Sequence, residues 1–347
     1  MMTRLGIRPG WRMAVALTVM GVLAATWWTW AAQGRTAARL AQAERLQCPL
    51  PPINAAVKQP GMVWVPAGEF EFGDTVYPEE QPLRKTRVAG FWMDRTEVTN
   101  DQFAQFVQAT GYVTVAERPI DAAQHPELPP DMRRPGAVVF VMPNAVNGKG
   151  ELTQWWRYVA GAQWRHPGGP DTHIKGRGAF PVVALTYADA LAYAKWRGTS
   201  LPGETQWEWA ARGAQPGAAS PREQPTATNT WQGLFPVANS AEDGFVGLAP
   251  VGCYAPNTLG LFDMIGNVWE LTADRWTPDH SSASPPDTDP APFKRPGPSA
   301  QRVIKGGSFL CAPNYCMRYR SGARQPQEED LATSHLGFRT ILNAPGP

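Results

Sequence analysis

Cys311 and Cys316 stand five positions apart in Lys305-Gly-Gly-Ser-Phe-Leu-Cys-Ala-Pro-Asn-Tyr-Cys-Met-Arg-Tyr-Arg320, and the 347-residue chain has only two other cysteines, Cys48 and Cys253. Two sulfurs that close in sequence have two chemistries open to them. In an exported protein a plain disulfide is their ordinary fate, and spacing alone favours it. As thiolates they would instead suit a soft monovalent metal such as Cu(I), which needs few ligands and leaves room for a third sulfur. A substrate thiolate held there would make an electron-rich centre open to O2, with the Ser308 hydroxyl placed to hydrogen-bond reduced oxygen. The readings overlap, because such a pair could oxidise reversibly without metal. Gly306 and Gly307 before the pair permit close backbone approach or positive φ. Cys48 and Cys253 could pair with each other or remain free.

Other chemistries find little support. The five histidines are scattered and no His-Glu-x-x-His helix is present, which argues against a zinc hydrolase. No Gly-x-Ser-x-Gly elbow or Walker loop occurs. A formal net charge of +2 without a Lys/Arg block gives no field for nucleic acid. Asp263-Met-Ile-Gly-Asn-Val-Trp-Glu270 has a carboxylate at each end of a glycine-containing turn. On its own that is an Asx-turn or a pair of solvated acids, although hard Ca²⁺ takes such oxygens together with backbone carbonyls.

The elements that must position these groups read as irregular α+β. Fifteen tryptophans, 33 glycines and 35 prolines supply many anchors and many chain breakers, which is the opposite of a helical bundle. Met62-Val-Trp-Val reads as a first strand and Phe91-Trp-Met-Asp as a second. Thr99 with Gln102, and Thr186 with Asp189, are capping boxes that open two helices. A third helix spans about Glu204 to Arg212 and stops at Gly213. Pro181-Val-Val-Ala-Leu and Leu336-Gly-Phe-Arg-Thr read as further strands, 117–150 as a proline-rich surface insertion and 277–300 as an exposed loop. Arg318, Arg320 and Arg324 are either a solvated strand face or, with Tyr319 between them, partly inward and paired with acids.

Residues 13–32 are long and apolar enough to cross a bilayer, follow Arg4, Arg8 and Arg12, and end in Trp27, Trp28 and Trp30. They predict a transmembrane signal anchor with residues 1–12 cytoplasmic; the alternative is a cleaved signal peptide. Both export the body of the protein. A linker over 33–60 then leads to one folded domain over 61–345.

The chain resembles the formylglycine-generating enzymes, or sulfatase-modifying factors, from about residue 60 to 343. The blocks that carry the likeness include Asp94-Arg-Thr-Glu-Val-Thr-Asn-Asp-Gln-Phe, Leu201-Pro-Gly-Glu-Thr-Gln-Trp-Glu-Trp-Ala, Asn257-Thr-Leu-Gly-Leu-Phe-Asp-Met-Ile-Gly-Asn-Val-Trp-Glu, and Lys305-Gly-Gly-Ser through Arg339. The resemblance implies a loop-rich α+β fold related to C-type lectins. It implies conversion of the cysteine in a Cys-x-Pro-x-Arg segment of an unfolded sulfatase to formylglycine, using O2 and a thiol reductant. It makes Cys311 and Cys316 the catalytic, Cu(I)-holding pair, with Ser308, Trp269 and Tyr315 around the same pocket. It also implies structural Ca²⁺ at two places: at Asp263, Glu270 and the carbonyls of Gly266 and Val268, and at Asn229, Asp243 and the carbonyls of Thr230 and Phe245. Two disulfides found in some members are absent, the positions being Ala194 with Thr340 and Ala211 with Ser321. The residue after the first cysteine, often basic or imidazole in the family, is Ala312. The alternatives are another maturation enzyme on this fold, or a non-catalytic lectin-like module of the cell envelope.

Overall fold

In a computed structural model, the structure describes Cys48, residues 50–51, 59–123, 126, 128–148, 151–217, 222–282, 300–343 and residue 346. The expected anchor over 13–32 and most of the linker lie outside these residues. Among the described residues no helix is long and apolar enough to cross a membrane. The described residues form one compact unit.

Among the described residues, short strands, three α-helices and several single-turn 3-10 helices are joined by long irregular stretches, as the glycine and proline content requires. A three-stranded antiparallel sheet places β4 (Phe91–Asp94) between β1 (Met62–Val65) and β11 (Ile341–Leu342). A four-stranded sheet runs in the order β10 (Leu336–Gly337), β7 (Trp269–Arg275), β8 (Gln301–Lys305), β9 (Arg324–Glu328), with only the β10–β7 pair parallel. β9 is therefore an edge strand among the described residues, and it carries Pro326. Two hairpins complete the set: β2 (Gly68–Phe72) with β3 (Arg84–Val88), and β5 (Gly136–Phe140) with β6 (Trp156–Ala160).

Several readings of the sequence change here. Phe91–Asp94 is the fourth strand, because the β2–β3 hairpin precedes it. The segment after Pro181 is not a strand. Pro181 makes one bridge to Thr99, and Ala184 takes φ +58°, a left-handed turn that no ladder tolerates. Of the run Leu336 to Thr340 only Leu336–Gly337 is a strand, and β11 follows it at Ile341–Leu342. The 117–150 segment is not wholly a surface insertion, since β5 sits largely buried against β6. Its Ala137 and Val139 pack with Ala162 and Ala184, a small-residue patch too poor in large side chains to show a period. His280, expected in an exposed loop, is buried against the Phe72 ring at 4.2 Å.

The helices follow their caps. α1 (Asn100–Thr110) starts where Gln102 Oε1 accepts the Thr99 N–H at 2.9 Å, and ends at Gly111 with φ +68°. α2 (Tyr187–Arg197) starts where Asp189 accepts the Thr186 N–H at 2.8 Å. Asp189 is fully buried, and it also accepts the Tyr112 hydroxyl and the Val115 N–H, each at 3.0 Å. Thr186→Ala should therefore lower unfolding free energy by about 1 kcal/mol, the usual scale of a lost cap. Chemical denaturation measures it, and an unchanged midpoint would show that the hydroxyl adds nothing to Asp189.

α3 (Glu204–Ala211) buries Trp207 and Trp209 under the sheets. Against it lies a buried charge network, because β8 and β9 turn their cations inward. Lys305 meets Glu208 at 3.0 Å, Arg324 meets Glu204 at 2.9 Å, and Arg320 meets Glu80 at 2.5 Å. The inward reading of Arg320 and Arg324 is thus the one the structure adopts, with both side chains almost wholly buried. Charges taken out of water this far must be paired, and each of these is. Cys48 and Cys253 form a disulfide that ties the entry of the domain to its body.

Candidate active site

The cysteine loop begins where β8 ends. Gly306 and Gly307 take φ +93° and +74°. A Cβ on Gly307 would sit 2.9 Å from the Arg318 carbonyl and 3.2 Å from Cys311 Sγ, so this backbone crossing demands glycine. Two tight turns follow. Ser308 O accepts the Cys311 N–H at 2.9 Å, and Ala312 O accepts the Cys316 N–H at 2.9 Å. They bring the two sulfurs to 2.8 Å, as free thiols. That is shorter than an ordinary non-bonded contact and well beyond the ~2.05 Å of a disulfide.

The two thiols are not equivalent. Burial pushes Cys311 well up, and its neighbour Cys316 adds to the rise. Cys316 is lowered, first by the hydrogen bond from Cys311 and then by Arg318. Of the two, Cys316 is the more readily deprotonated. Arg318 is itself held by Glu79 at 2.5 Å and lies over the Tyr77 ring at 4.2 Å. Because the thiolate is the nucleophile, iodoacetamide at neutral pH should label Cys316 at least about fivefold faster than Cys311. Peptide mapping by mass spectrometry reads the ratio, and preferential labelling of Cys311 would reverse the assignment.

Both sulfurs line a cleft of about 550 Å³, and so do Ser308, Trp269 and Tyr315. All five residues singled out from sequence thus share one cavity. Ser308 is fully buried, and its Oγ accepts the Leu310 N–H at 3.3 Å, leaving the hydroxyl proton free to donate. Trp269 opens β7 and is buried. Tyr315 is 43% exposed and stacks on Phe235 with centroids 4.1 Å apart, above a cluster that includes Trp155 and Trp231.

The cleft also takes in residues that sequence reading passed over, among them Trp156, Thr333, His335 and Glu328. His335 Nδ1 lies 3.0 Å from Thr333 Oγ1, and its ring packs 4.7 Å from Trp156. Burial drives its pKa down to about 3, so the imidazole is neutral at working pH. No local pattern marks these residues. They arrive from β6 and from the β9–β10 segment, and only the sheet order brings them beside the cysteine loop.

The residues expected to hold calcium fall into two adjoining groups. Asp243 accepts the N–H groups of Thr230 at 3.0 Å and Phe245 at 3.1 Å, and burial raises its pKa to about 6. Asn229 Nδ2 donates to Asn267 Oδ1 at 2.9 Å, and the Asn267 N–H donates to Asn229 O at 2.8 Å, which joins this loop to the other group. There, Glu270 receives Arg339 at 2.6 and 2.7 Å and Trp207 Nε1 at 2.8 Å. Asp263 takes φ +54° and accepts the Gly252 N–H at 2.6 Å. Buried Glu97 stands beside both acids with one carboxylate oxygen unpartnered. Three buried carboxylates against the one guanidinium of Arg339 leave negative charge to be met by a proton or a cation. Burial pushes Asp263 up to about 6 and Glu97 up as well. Among the described residues, no three His, Cys, Asp or Glu side chains converge as a metal cage. A hard cation fits these loops in charge and donor type, provided backbone carbonyls complete its shell. The thiol pair, with two soft donors and no imidazole or carboxylate, fits a soft monovalent ion.

This arrangement belongs to a known class. The family model described as the sulfatase-modifying factor enzyme 1-like domain matches residues 49–344. The chain is 46% identical over 291 residues to the formylglycine-generating enzyme of Mycobacterium tuberculosis, covering 81% of this chain and 97% of that one. It is 40% identical to the formylglycine-generating enzyme of Mus musculus, over 80% of this chain and 74% of the relative. It is also 35% identical to the Mus musculus protein named inactive C-alpha-formylglycine-generating enzyme 2, over 87% of this chain and 92% of that one. Among solved structures, PvdO from Pseudomonas aeruginosa is similar in fold, with a TM-score of 0.53 at 22% identity, over 83% of this chain and all of that one. The chain belongs to the formylglycine-generating enzyme family of sulfatase-modifying factors.

Proposed function

We propose that this protein is an O2-dependent oxidase that converts the cysteine of a Cys-x-Pro-x-Arg segment in an unfolded sulfatase to Cα-formylglycine. Family membership alone does not decide this, since one relative is named as inactive. The observation that carries the reading is the free Cys311–Cys316 pair, with its sulfurs 2.8 Å apart on the wall of an open cleft.

The overall change breaks the Cβ–S bond of the client cysteine and leaves an aldehyde. Sulfur departs as sulfide. One O2 takes two electrons from the client and two from a thiol reductant, and one of its oxygen atoms ends as water. Cys311 and Cys316 are the residues that would hold Cu(I). When bound, that ion supplies a soft centre for the client thiolate and for O2. Cys311 first and Arg318 after it favour the thiolate form of Cys316, and Ser308 offers a hydroxyl to developing charge on oxygen. Trp269 closes the floor and Tyr315, propped on Phe235, forms a flat shelf for the client chain. Neutral His335 adds a polar group that carries no charge into the site.

Calcium belongs to the same proposal as a structural partner, at Asn229 and Asp243 and at Asp263 and Glu270, with the neighbouring carbonyls. Residues 13–32 are proposed to anchor the enzyme, with its domain exported, so that unfolded clients meet it at raised local concentration. The test uses full-length protein with Cu(I), O2, a thiol reductant and a Cys-x-Pro-x-Arg peptide. Mass spectrometry should find the aldehyde product, and an oxygen electrode should record matching uptake. An unconverted peptide under these conditions would end the oxidase reading.

A further inference from the structure

Two charged side chains line the cleft, and one of them meets no opposite charge among the described residues. Of the two side chains that carry a full charge on its wall, Arg318 is already held by Glu79. The other is Glu328, at the end of β9. It is half-buried, and its Oε1 accepts the Gln301 side-chain amide at 3.0 Å. Among the described residues neither oxygen meets a cation. The adjacent Glu329 differs, since Arg302 holds it at 2.5 Å. A carboxylate held by a neutral amide and facing a cleft is poised to receive a cation from outside.

The sheet register sets how far that carboxylate lies along β9 from the level of Lys305, where the cysteine loop begins. Lys305 pairs with Arg324, and Gln301 with Glu328. Lys305 leads straight into Gly306 and Gly307, and a Cβ on Gly307 would sit 3.2 Å from Cys311 Sγ. Glu328 therefore stands four strand residues from the level of the cysteine loop, roughly 13 Å at the rise of an extended chain. A client laid extended along the cleft covers the same roughly 13 Å from its cysteine to the arginine four residues later.

We infer that Glu328 is a specificity-determining residue that receives the arginine of the client segment, and so sets both the direction and the register in which the peptide lies. The inference rests on the peptide-oxidase reading above, and Glu328 acts on binding, away from the reacting atoms. Its carboxylate offers two oxygens to a planar guanidinium, a fit that an ammonium or an amide does not reproduce.

The experiment measures binding and turnover separately, on full-length protein. Fluorescence anisotropy is read with peptides whose cysteine is replaced by serine and whose arginine position carries arginine, citrulline or glutamate. The wild type should prefer arginine to citrulline by roughly tenfold, the scale of a half-buried charge pair. Glu328→Gln, which can keep the Gln301 contact, should bring that ratio close to one. Glu328→Arg should bind the glutamate peptide in preference to the arginine peptide. A wild type indifferent to arginine, or a Glu328→Gln variant with the ratio intact, overturns the inference. Turnover of the cysteine peptide is the separate arm. Absence of aldehyde with the binding ratios as expected would remove the oxidase reading and leave Glu328 as a cation receptor.

Discussion

Replacing either Cys311 or Cys316 by serine should abolish aldehyde formation, with turnover falling by a factor on the order of a thousand or more, as happens when groups act as a unit. The two single variants and the double variant should therefore lose about the same amount. A hydroxyl keeps the size of the side chain and removes the soft donor, so neither variant could hold a monovalent copper ion between two sulfurs. The fold should survive, because serine is close to cysteine in size and keeps a donor and an acceptor at each position. Thermal melting checks that, and mass spectrometry of the peptide product checks the chemistry. A serine variant with turnover near wild type would take the cysteines out of the mechanism.

The largest expected effect on stability is at Arg339. It is fully buried and makes two bonds to Glu270, while also donating to the Phe262 carbonyl at 2.9 Å. Its charge is felt by Glu97 and Asp263 as well. Arg339→Ala leaves three buried carboxylates with no cation, on top of the lost packing. Breaking one side of such a buried pair costs about 3–5 kcal/mol. Arg339→Lys restores the charge without the two-pronged geometry and should recover only part of it. Urea denaturation of the three proteins gives the comparison. Equal midpoints for wild type and the alanine variant would mean that the acids hold protons and need no guanidinium.

Much of this site was legible in the chain. The caps at Thr99 and Thr186, the span of α3, and the family blocks up to Lys305-Gly-Gly-Ser located the scaffold, because each is written in adjacent residues. Cys311, Cys316, Ser308 and Tyr315 could be named for the same reason: one loop holds them all. What escaped is what depends on pairing at a distance. β5 and β6 form a buried hairpin from a proline-rich stretch with no clear period. His335 reaches the site only because β10 runs parallel beside β7, where the Trp269 N–H donates to the His335 carbonyl at 2.9 Å. Glu328 looks like a surface acid until the β8–β9 register places it over the cleft. The buried arginines were ambiguous for a related reason, since alternation shows which side chains share a face but not which face meets acids.

An enzyme that handles unfolded chains runs the risk of being colonised by them, since any free strand edge is a template for another polypeptide. Pro326 sits midway along the edge strand that borders the cleft and offers no amide hydrogen there. A chain adding itself along this border would find one ladder bond missing at Pro326, which weakens strand addition and leaves more of the holding to side chains.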